Sequence, residues 1–503
     1  MLELWLLSFG LEALLIFVPL LWRFRRLLSV LLMAFELWTT LWLVWQLGWT
    51  AGMPLALLGA YRIINLARVV RGRMHSRYLQ QAFARTVWWL FLIHIALVWS
   101  ALLLISSGLG RQGALHLALY FQLVAACLIL LITMRNLSKL RYHDNGKYLV
   151  DRELPTVSVA IPARNETSDL EACLRSVLAS DYPKLEILVL DDCSQGKTAD
   201  IIRGFAHDGV RFIPGEEPAT RWLAKNQAYQ KLFQEANGDI MLFCGVDVRF
   251  GPHAIRSLVN LMQQRRKSMI SILPVRRQSS AAAALIQPMR YWWEVALPRR
   301  FFNRPPVLST CWLIERKALK KLGGFGAVSH TILPEGVLAR ELIKRDKYSF
   351  VRSSQALDVQ TAKSLAEQRE TAIRMRYPQL HRRPELQLLL MLAQAGLLLA
   401  PFGLLLAAVW HPVVNPWLPA ATCFLIIVTH VAIVQVTDPS NVPLALFNFP
   451  VVIITELIIG LASMFKYEFF TVSWKERNIC IPIMHVVPHL PSLETTADLA
   501  QKS

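Results

Sequence analysis

Apolar runs near the ~20 residues that span a ~30 Å hydrocarbon core constrain this chain more than any other feature. Five precede residue 140, at 1–22, 27–47, a shorter 51–66, 86–109 and 113–134. Three follow residue 385, at 386–410, 417–436 and 443–465. The first carries Glu3 and Glu12 and has no clear small-residue cleavage site, so it reads as an uncleaved anchor, not a signal peptide. With 54% hydrophobic and 18% charged residues, the chain is neither a soluble cytosolic enzyme nor a disordered protein. Seven cysteines stand far apart with no CxxC pair, which argues against a disulfide framework or zinc site.

The basic residues set an orientation. Arg23, Arg25 and Arg26, the stretch 62–85 and the stretch 135–147 fall on one face if each long run crosses once. The positive-inside rule makes that face cytoplasmic, and with it the mixed-composition stretch between the two apolar halves. The net charge of +19 is read as loop anchoring and attraction to anionic lipid; no nucleic-acid motif accompanies it. Three crossings after residue 385 would leave Trp474-Lys475-Glu476-Arg477 outside, so one late segment is a candidate for a re-entrant or interfacial one. Glu36, His94, His430 and Glu456 lie within apolar runs, where an ionisable group marks a path or site, or else is paired or near a helix end.

The expected organisation is therefore transmembrane helices over 1–138, a cytoplasmic α/β domain over 139–385, and further transmembrane helices with a basic tail over 386–503. In the middle stretch the pattern becomes strand–helix alternation. Val157-Ser158-Val159-Ala160-Ile161-Pro162 predicts a strand, followed by a helix with Leu170, Cys173, Leu174 and Val177 on one face. Leu185-Glu186-Ile187-Leu188-Val189-Leu190 predicts a buried parallel strand ending in Asp191-Asp192. A helix over 198–205 and a strand over 239–244, ending in Gly245-Val246-Asp247, continue the alternation. Polar residues thus gather at carboxyl ends of strands, where open α/β sheets bind ligands. Carboxylates there suit a nucleoside diphosphate whose charge is neutralised by an oxygen-ligated divalent metal. They also suit simple capping of turns and helices. The absence of a P-loop or GxGxxG argues against an NTPase or dinucleotide enzyme.

Over about 157–380 the residues resemble family 2 glycosyltransferases of the inverting GT-A fold. The segments that carry the resemblance are Ile161-Pro162-Ala163-Arg164-Asn165-Glu166, Val189-Leu190-Asp191-Asp192-Cys193-Ser194 and Leu322-Gly323-Gly324-Phe325. Trp222-Leu223-Ala224-Lys225-Asn226-Gln227-Ala228 and the closing Trp474-Lys475-Glu476-Arg477 are similar to the ceramide-glucosyltransferase-like, hopanoid-associated branch. The sequence departs from the pattern at three points. Gly245 stands where DxD has its first Asp, leaving Asp247; Pro334-Glu335-Gly336 replaces the usual Glu-Asp; and Ile373-Arg374-Met375-Arg376-Tyr377 retains only part of the (Q/R)-x-x-R-W motif. Loss of that motif's leading residue argues against a polymer-extruding synthase.

The resemblance implies a nucleotide-sugar donor at Ala163, Asn165, Glu166, Asp191, Asp192, Lys225 and Asp247, with Mg²⁺ or Mn²⁺ on Asp247. It implies Glu335 as general base on a helix over 332–344, and Trp312, Arg376 and Tyr377 as cover for donor and acceptor; interfacial anchoring or core packing suits those three equally well. Trp292 and Trp293, with Arg299 to Phe302, suit the membrane surface, where a lipid acceptor would enter, or else core packing with a solvated edge. The expected activity is transfer of one sugar to a lipid with inversion, in a bacterial inner membrane. The alternatives are a polysaccharide synthase, a non-catalytic nucleotide-sugar-binding protein of an envelope assembly, and a transporter, which the α/β insert and absence of a repeat disfavour.

Overall fold

The computed structural model describes residues 8, 11, 25–70, 111–141, 149–219, 222–277, 280, 282–296, 305–380, 382–410, 416–474 and 477–478. The expected run at 86–109, His94, and Arg299 to Phe302 lie outside them. So do Lys475 and Glu476. The described residues fall into two compact units: those within Met1–Gly110 and Arg383–Leu390, and those within Arg111–Arg382 and Met391–Ile481.

In the first unit, helical residues span Arg25–Val70. A straight helix would separate residues 26 apart by about 39 Å. Yet the Arg62 guanidinium lies 2.9 Å from the Glu36 carboxylate, and Gly59 leaves room only for the Thr40 side chain. The chain therefore doubles back, and both pairs centre on Gly48–Thr50, close to Gly52 and Pro54. The two segments expected at 27–47 and 51–66 are thus antiparallel partners. Glu36 is compensated inside this hairpin by Arg62 and by the Ser8 hydroxyl, which donates at 2.8 Å.

The second unit is built on a seven-stranded sheet. Its strands are β1 Val157–Ala163, β2 Leu185–Asp191, β3 Val210–Pro214, β4 Ile240–Cys244, β6 Met269–Leu273, β8 Cys311–Glu315 and β9 Tyr348–Arg352. They lie in the order β3-β2-β1-β4-β8-β6-β9. The four strands β3, β2, β1 and β4 are parallel, and β8 enters antiparallel to β4 and β6. A small second sheet has β10 Val359–Thr361 between β5 Val248–Phe250 and β7 Val275–Arg276. Alternation sends Val157, Val159 and Ile161 into one core and Ala160 into the other. Both faces are covered, which is why these strands read as continuous apolar runs.

The core containing Ala160, Phe243 and Trp312 continues without a break into Trp292, Ile433 and Phe449 on apolar helices. Among the described residues five helices are long and apolar enough to cross a membrane, at Leu27–Gln46, Leu115–Lys139, Leu386–Ala408, Trp417–Thr437 and Phe449–Phe469. In the second unit the helix Trp417–Thr437 packs on Arg111–Lys139, and the helix Leu365–Gln379 packs on Phe449–Phe469.

Candidate functional site

The site begins where β1 and β2 end side by side. Ala163 pairs with Asp191, and the chain then turns sharply in both strands, with Asn165 and Cys193 in left-handed conformation at φ 48° and 53°. Asparagine tolerates that region; a cysteine there is strained, as residues at ligand sites commonly are. The buried Arg164 guanidinium holds the two turns together by donating to the carbonyls of Asp192 and Cys193 at 2.5 and 2.9 Å. The Asn165 amide receives the Gln195 N–H at 3.0 Å, and the Glu166 N–H donates to Thr198 Oγ1 at 2.9 Å. Asp191 Oδ1 accepts from the Ser194 N–H at 3.2 Å. Asp191, Asp192 and Glu166 are all buried carboxylates at this strand edge.

A second group forms around Glu335. It lies in the first turn of the helix Pro334–Ile343, where Pro334 fills a position whose N–H has no helical partner. Its carboxylate is fully buried, and neither oxygen has a hydrogen-bond partner among the described residues. Burial raises its pKa, against the pull of Lys225, its own backbone N–H and Arg290. Lys225 begins the helix Ala224–Glu235, with its ammonium 5.1 Å from the centre of the Tyr229 ring. Burial pushes that ammonium down to about 8, with Glu335 opposing and Arg374 and Lys363 reinforcing. The next residue, Asn226, explains how the two approach. Its buried amide donates to the carbonyls of Val328, Ser329 and Thr331, at 2.9, 2.9 and 2.8 Å, tying this helix start to the loop that precedes Glu335.

Asp247 follows β4 and closes the group. Its Oδ2 accepts from the Thr361 hydroxyl at 3.0 Å and lies 3.9 Å from the Lys363 ammonium. Burial raises its pKa, but Lys363, the Thr361 hydroxyl, its own backbone N–H and Arg290 outweigh that and hold it below the ordinary value. This is a poor seat for the expected Mg²⁺ or Mn²⁺. The donor set is one carboxylate that already faces an ammonium, with Gly245 in place of a second. Among the described residues no three His, Cys, Asp or Glu side chains converge as metal ligands would. A cavity next to Lys363 is also lined by Arg290, Gln368, Met375 and Arg376.

Other expected positions are placed differently. Trp312, expected as cover, is fully buried on β8, stacked on Phe243 at 4.5 Å and edge-on to Tyr229 at 6.1 Å. The run Cys311-Trp312-Leu313-Ile314 is apolar on both faces, so its tryptophan belongs to the core. Trp292, expected at the membrane surface, is buried too; its Nε1 donates to His430 at 3.3 Å and its ring packs on Phe449. Trp293 donates to Glu456 at 3.4 Å. Arg376 lines the cavity, but its guanidinium is held by both Glu456 oxygens at 2.8 and 2.9 Å. The Tyr377 hydroxyl donates to Glu468 at 2.6 Å. Arg376 and Tyr377 therefore fasten the helix Leu365–Gln379 to Phe449–Phe469. Gly323 and Gly324, at φ 85° and 63°, make the turn that delivers Phe325 into the aromatic core.

Sequence reasoning gave no role to Asn226, Arg290, Lys363 or Arg374. Lys363 immediately precedes Ser364-Leu365-Ala366-Glu367, a capping box that the structure forms and that is legible as a helix start. Nothing in the sequence announces that this loop faces Asp247.

Residues 158–323 match the family described as Glycosyl transferase family 2; the match ends before Glu335 and Lys363. The chain is similar to the probable glycosyltransferase YdaM of Bacillus subtilis, at 28% identity over 47% of this chain and 53% of that protein. It is also similar to the 4,4'-diaponeurosporenoate glycosyltransferase of Staphylococcus haemolyticus, at 30% identity over 24% of this chain and 32% of that protein. The chain thus spans about half the length of the first relative and about a third of the second. Among solved structures, the mannosyltransferase PcManGT from Pyrobaculum calidifontis, in complex with GDP-Man and Mn²⁺, aligns with a TM-score of 0.39 and 17% identity, over 69% of this chain and 98% of that one.

Proposed function

We propose, from the premise that residues 158–323 form a family 2 glycosyltransferase domain, that the protein transfers one sugar from a nucleotide-sugar donor to a lipid, with inversion. The observation that carries this reading is the buried Glu335 carboxylate beside Lys225, whose helix start the Asn226 amide ties to the loop before Glu335. The acceptor hydroxyl would attack the anomeric carbon while Glu335 takes its proton, and the nucleoside diphosphate would depart on the opposite side. A carboxylate with raised proton affinity and no hydrogen bond to satisfy it is suited to receive that proton. Asp191 and Asp192 would meet base and ribose; Ala163, Asn165 and Glu166 would line the same crevice. Lysines and arginines would meet the diphosphate as its charge grows.

The lipid acceptor is favoured by the continuity of the sheet core with the apolar helices. Cytoplasmic placement of the domain in a bacterial inner membrane is favoured by the basic flanks, since the hairpin of Arg25–Val70 returns its two ends to one side. Purified protein in detergent, given membrane lipid and UDP-, GDP- or CMP-sugars, is expected to release nucleotide from one donor and to form a lipid heavier by one sugar. Retention of most turnover by Glu335→Gln would defeat the base assignment, and a ladder of product masses would favour a polysaccharide synthase. Gly245 favours a second reading, a nucleotide-sugar-binding protein without turnover; binding of donor with no release across lipids would support it.

A further inference from the structure

The pairing of two short strands decides what Asp247 faces. β5 and β10 run antiparallel with Val248 opposite Thr361. One step further, the Ala362 N–H donates to the Asp247 carbonyl at 2.8 Å, and the next residue is Lys363. The Lys363 backbone is itself fixed, because its carbonyl accepts from Arg276 at 3.2 Å and from Gln368 at 2.8 Å. Its ammonium has thus been delivered to 3.9 Å from Asp247 Oδ2 by structure on both sides of it. Asp247 Oδ1 turns the other way, into the space that a Cβ on residue 245 would need. An aspartate at 245 and the observed Asp247 conformation exclude each other.

Several cations gather here. Arg290, Arg374, Asp247 and Glu367 act on Lys363, and Lys363, Arg374, Glu335 and Asp247 act on Lys225. Burial pushes the Lys363 ammonium down, Asp247 draws it back up, and Arg290 and Arg374 push it down further. An anion entering the adjoining cavity would relieve that repulsion.

We propose that Lys363, supported by Arg290 and Lys225, takes the part of the divalent cation, so that the protein binds nucleoside diphosphate and transfers sugar without metal. The inference rests on the transferase reading above. In the transfer, the acceptor oxygen bonds to the anomeric carbon and the bond from that carbon to the diphosphate oxygen breaks. Its electron pair leaves on the diphosphate, and the acceptor proton passes to Glu335. The Lys363 ammonium meets the departing charge through hydrogen bonds, with no covalent change at nitrogen.

The test uses the full chain in detergent, with UDP and GDP as calorimetric probes and the active donor for turnover, each in excess EDTA and in Mn²⁺. Binding and turnover are expected to be the same in both buffers. Lys363→Met is expected to weaken nucleotide binding about 10- to 100-fold and to lower turnover about 10²- to 10³-fold, while Lys363→Arg restores most of both. Wild-type binding that requires Mn²⁺, or turnover lost in EDTA and regained with Mn²⁺, would overturn the inference and leave the transferase reading standing. No binding of either nucleotide in either buffer, and no release from any donor, would bring down the transferase reading itself.

Discussion

Replacing Glu335 with Gln is expected to stabilise the protein while abolishing most of its turnover. The side chain is fully buried, its two oxygens have no hydrogen-bond partner among the described residues, and burial raises its pKa despite Lys225. A carboxyl whose pKa is higher folded than unfolded holds its proton more tightly in the folded state. Its stability contribution is therefore complete below the ordinary value of 4.5 and is lost as pH rises through the raised one. Gln carries no charge at any pH, so the variant escapes that loss. Each tenfold change in proton affinity is worth about 1.4 kcal/mol, so the gain at neutral pH follows the size of that rise. Lys225, already lowered to about 8, releases its proton more easily once its partner is gone, which keeps the opposing cost small. The melting temperature should therefore rise at neutral pH, by about 2–4 °C for each kcal/mol gained. The assay is thermal unfolding of detergent-purified wild type and variant across acidic to neutral pH, alongside donor turnover. The gain should vanish in acid, and turnover should fall about 10²- to 10⁴-fold. A variant that melts lower than wild type at neutral pH, or by the same margin at every pH, would refute the account of a costly buried charge.

Three further outcomes follow from the same geometry. Turnover should have a bell-shaped pH profile, rising as Glu335 loses its proton above the ordinary carboxylate range and falling as Lys225 loses its own near 8; Lys225→Arg should push the falling limb upward in a kcat/KM titration. Trp312→Ala should cost about 3–5 kcal/mol in thermal unfolding, because the fully buried ring fills the centre of an aromatic cluster; a loss of activity without loss of stability would return it to the crevice. Glu456→Gln should cost about 3–5 kcal/mol by stranding the buried Arg376 guanidinium, and replacing both residues with Met should recover most of it in the same melt.

The parts of this protein that were legible in its sequence are those written in nearby residues. The strands at Val157 and Leu185 and the helix carrying Leu170, Cys173, Leu174 and Val177 declare themselves by local periodicity, and the structure buries those four positions. The helix expected over 332–344 is observed as Pro334–Ile343, with Glu335 in its first turn. What stayed hidden depends on distant partners. A tryptophan in an apolar run looks the same whether it roofs a crevice or fills a core, and only the seven-strand order places Trp312 against Phe243. Trp292 likewise reads as interfacial until helices more than a hundred residues later supply His430 and Phe449 to bury it. The departures at Gly245 and Glu335 were visible as single letters. Their physical sense depended on neighbours that no local pattern specifies.

The meeting of β5 with β10 also sets where this chain can change length. The loops between the two strands are free to gain or lose residues, because the ladder that joins Val248 to Thr361 does not depend on how far apart they lie along the chain. The two-residue bridge Ala362-Lys363 has no such freedom, held as it is between that ladder and the Ser364 helix cap. Removing one residue there would leave the composition of the crevice nearly intact while withdrawing its central cation. Descendants of this sequence should therefore vary in length in the loops that link the elements between β5 and β10, and keep a fixed spacing from Thr361 to Ser364.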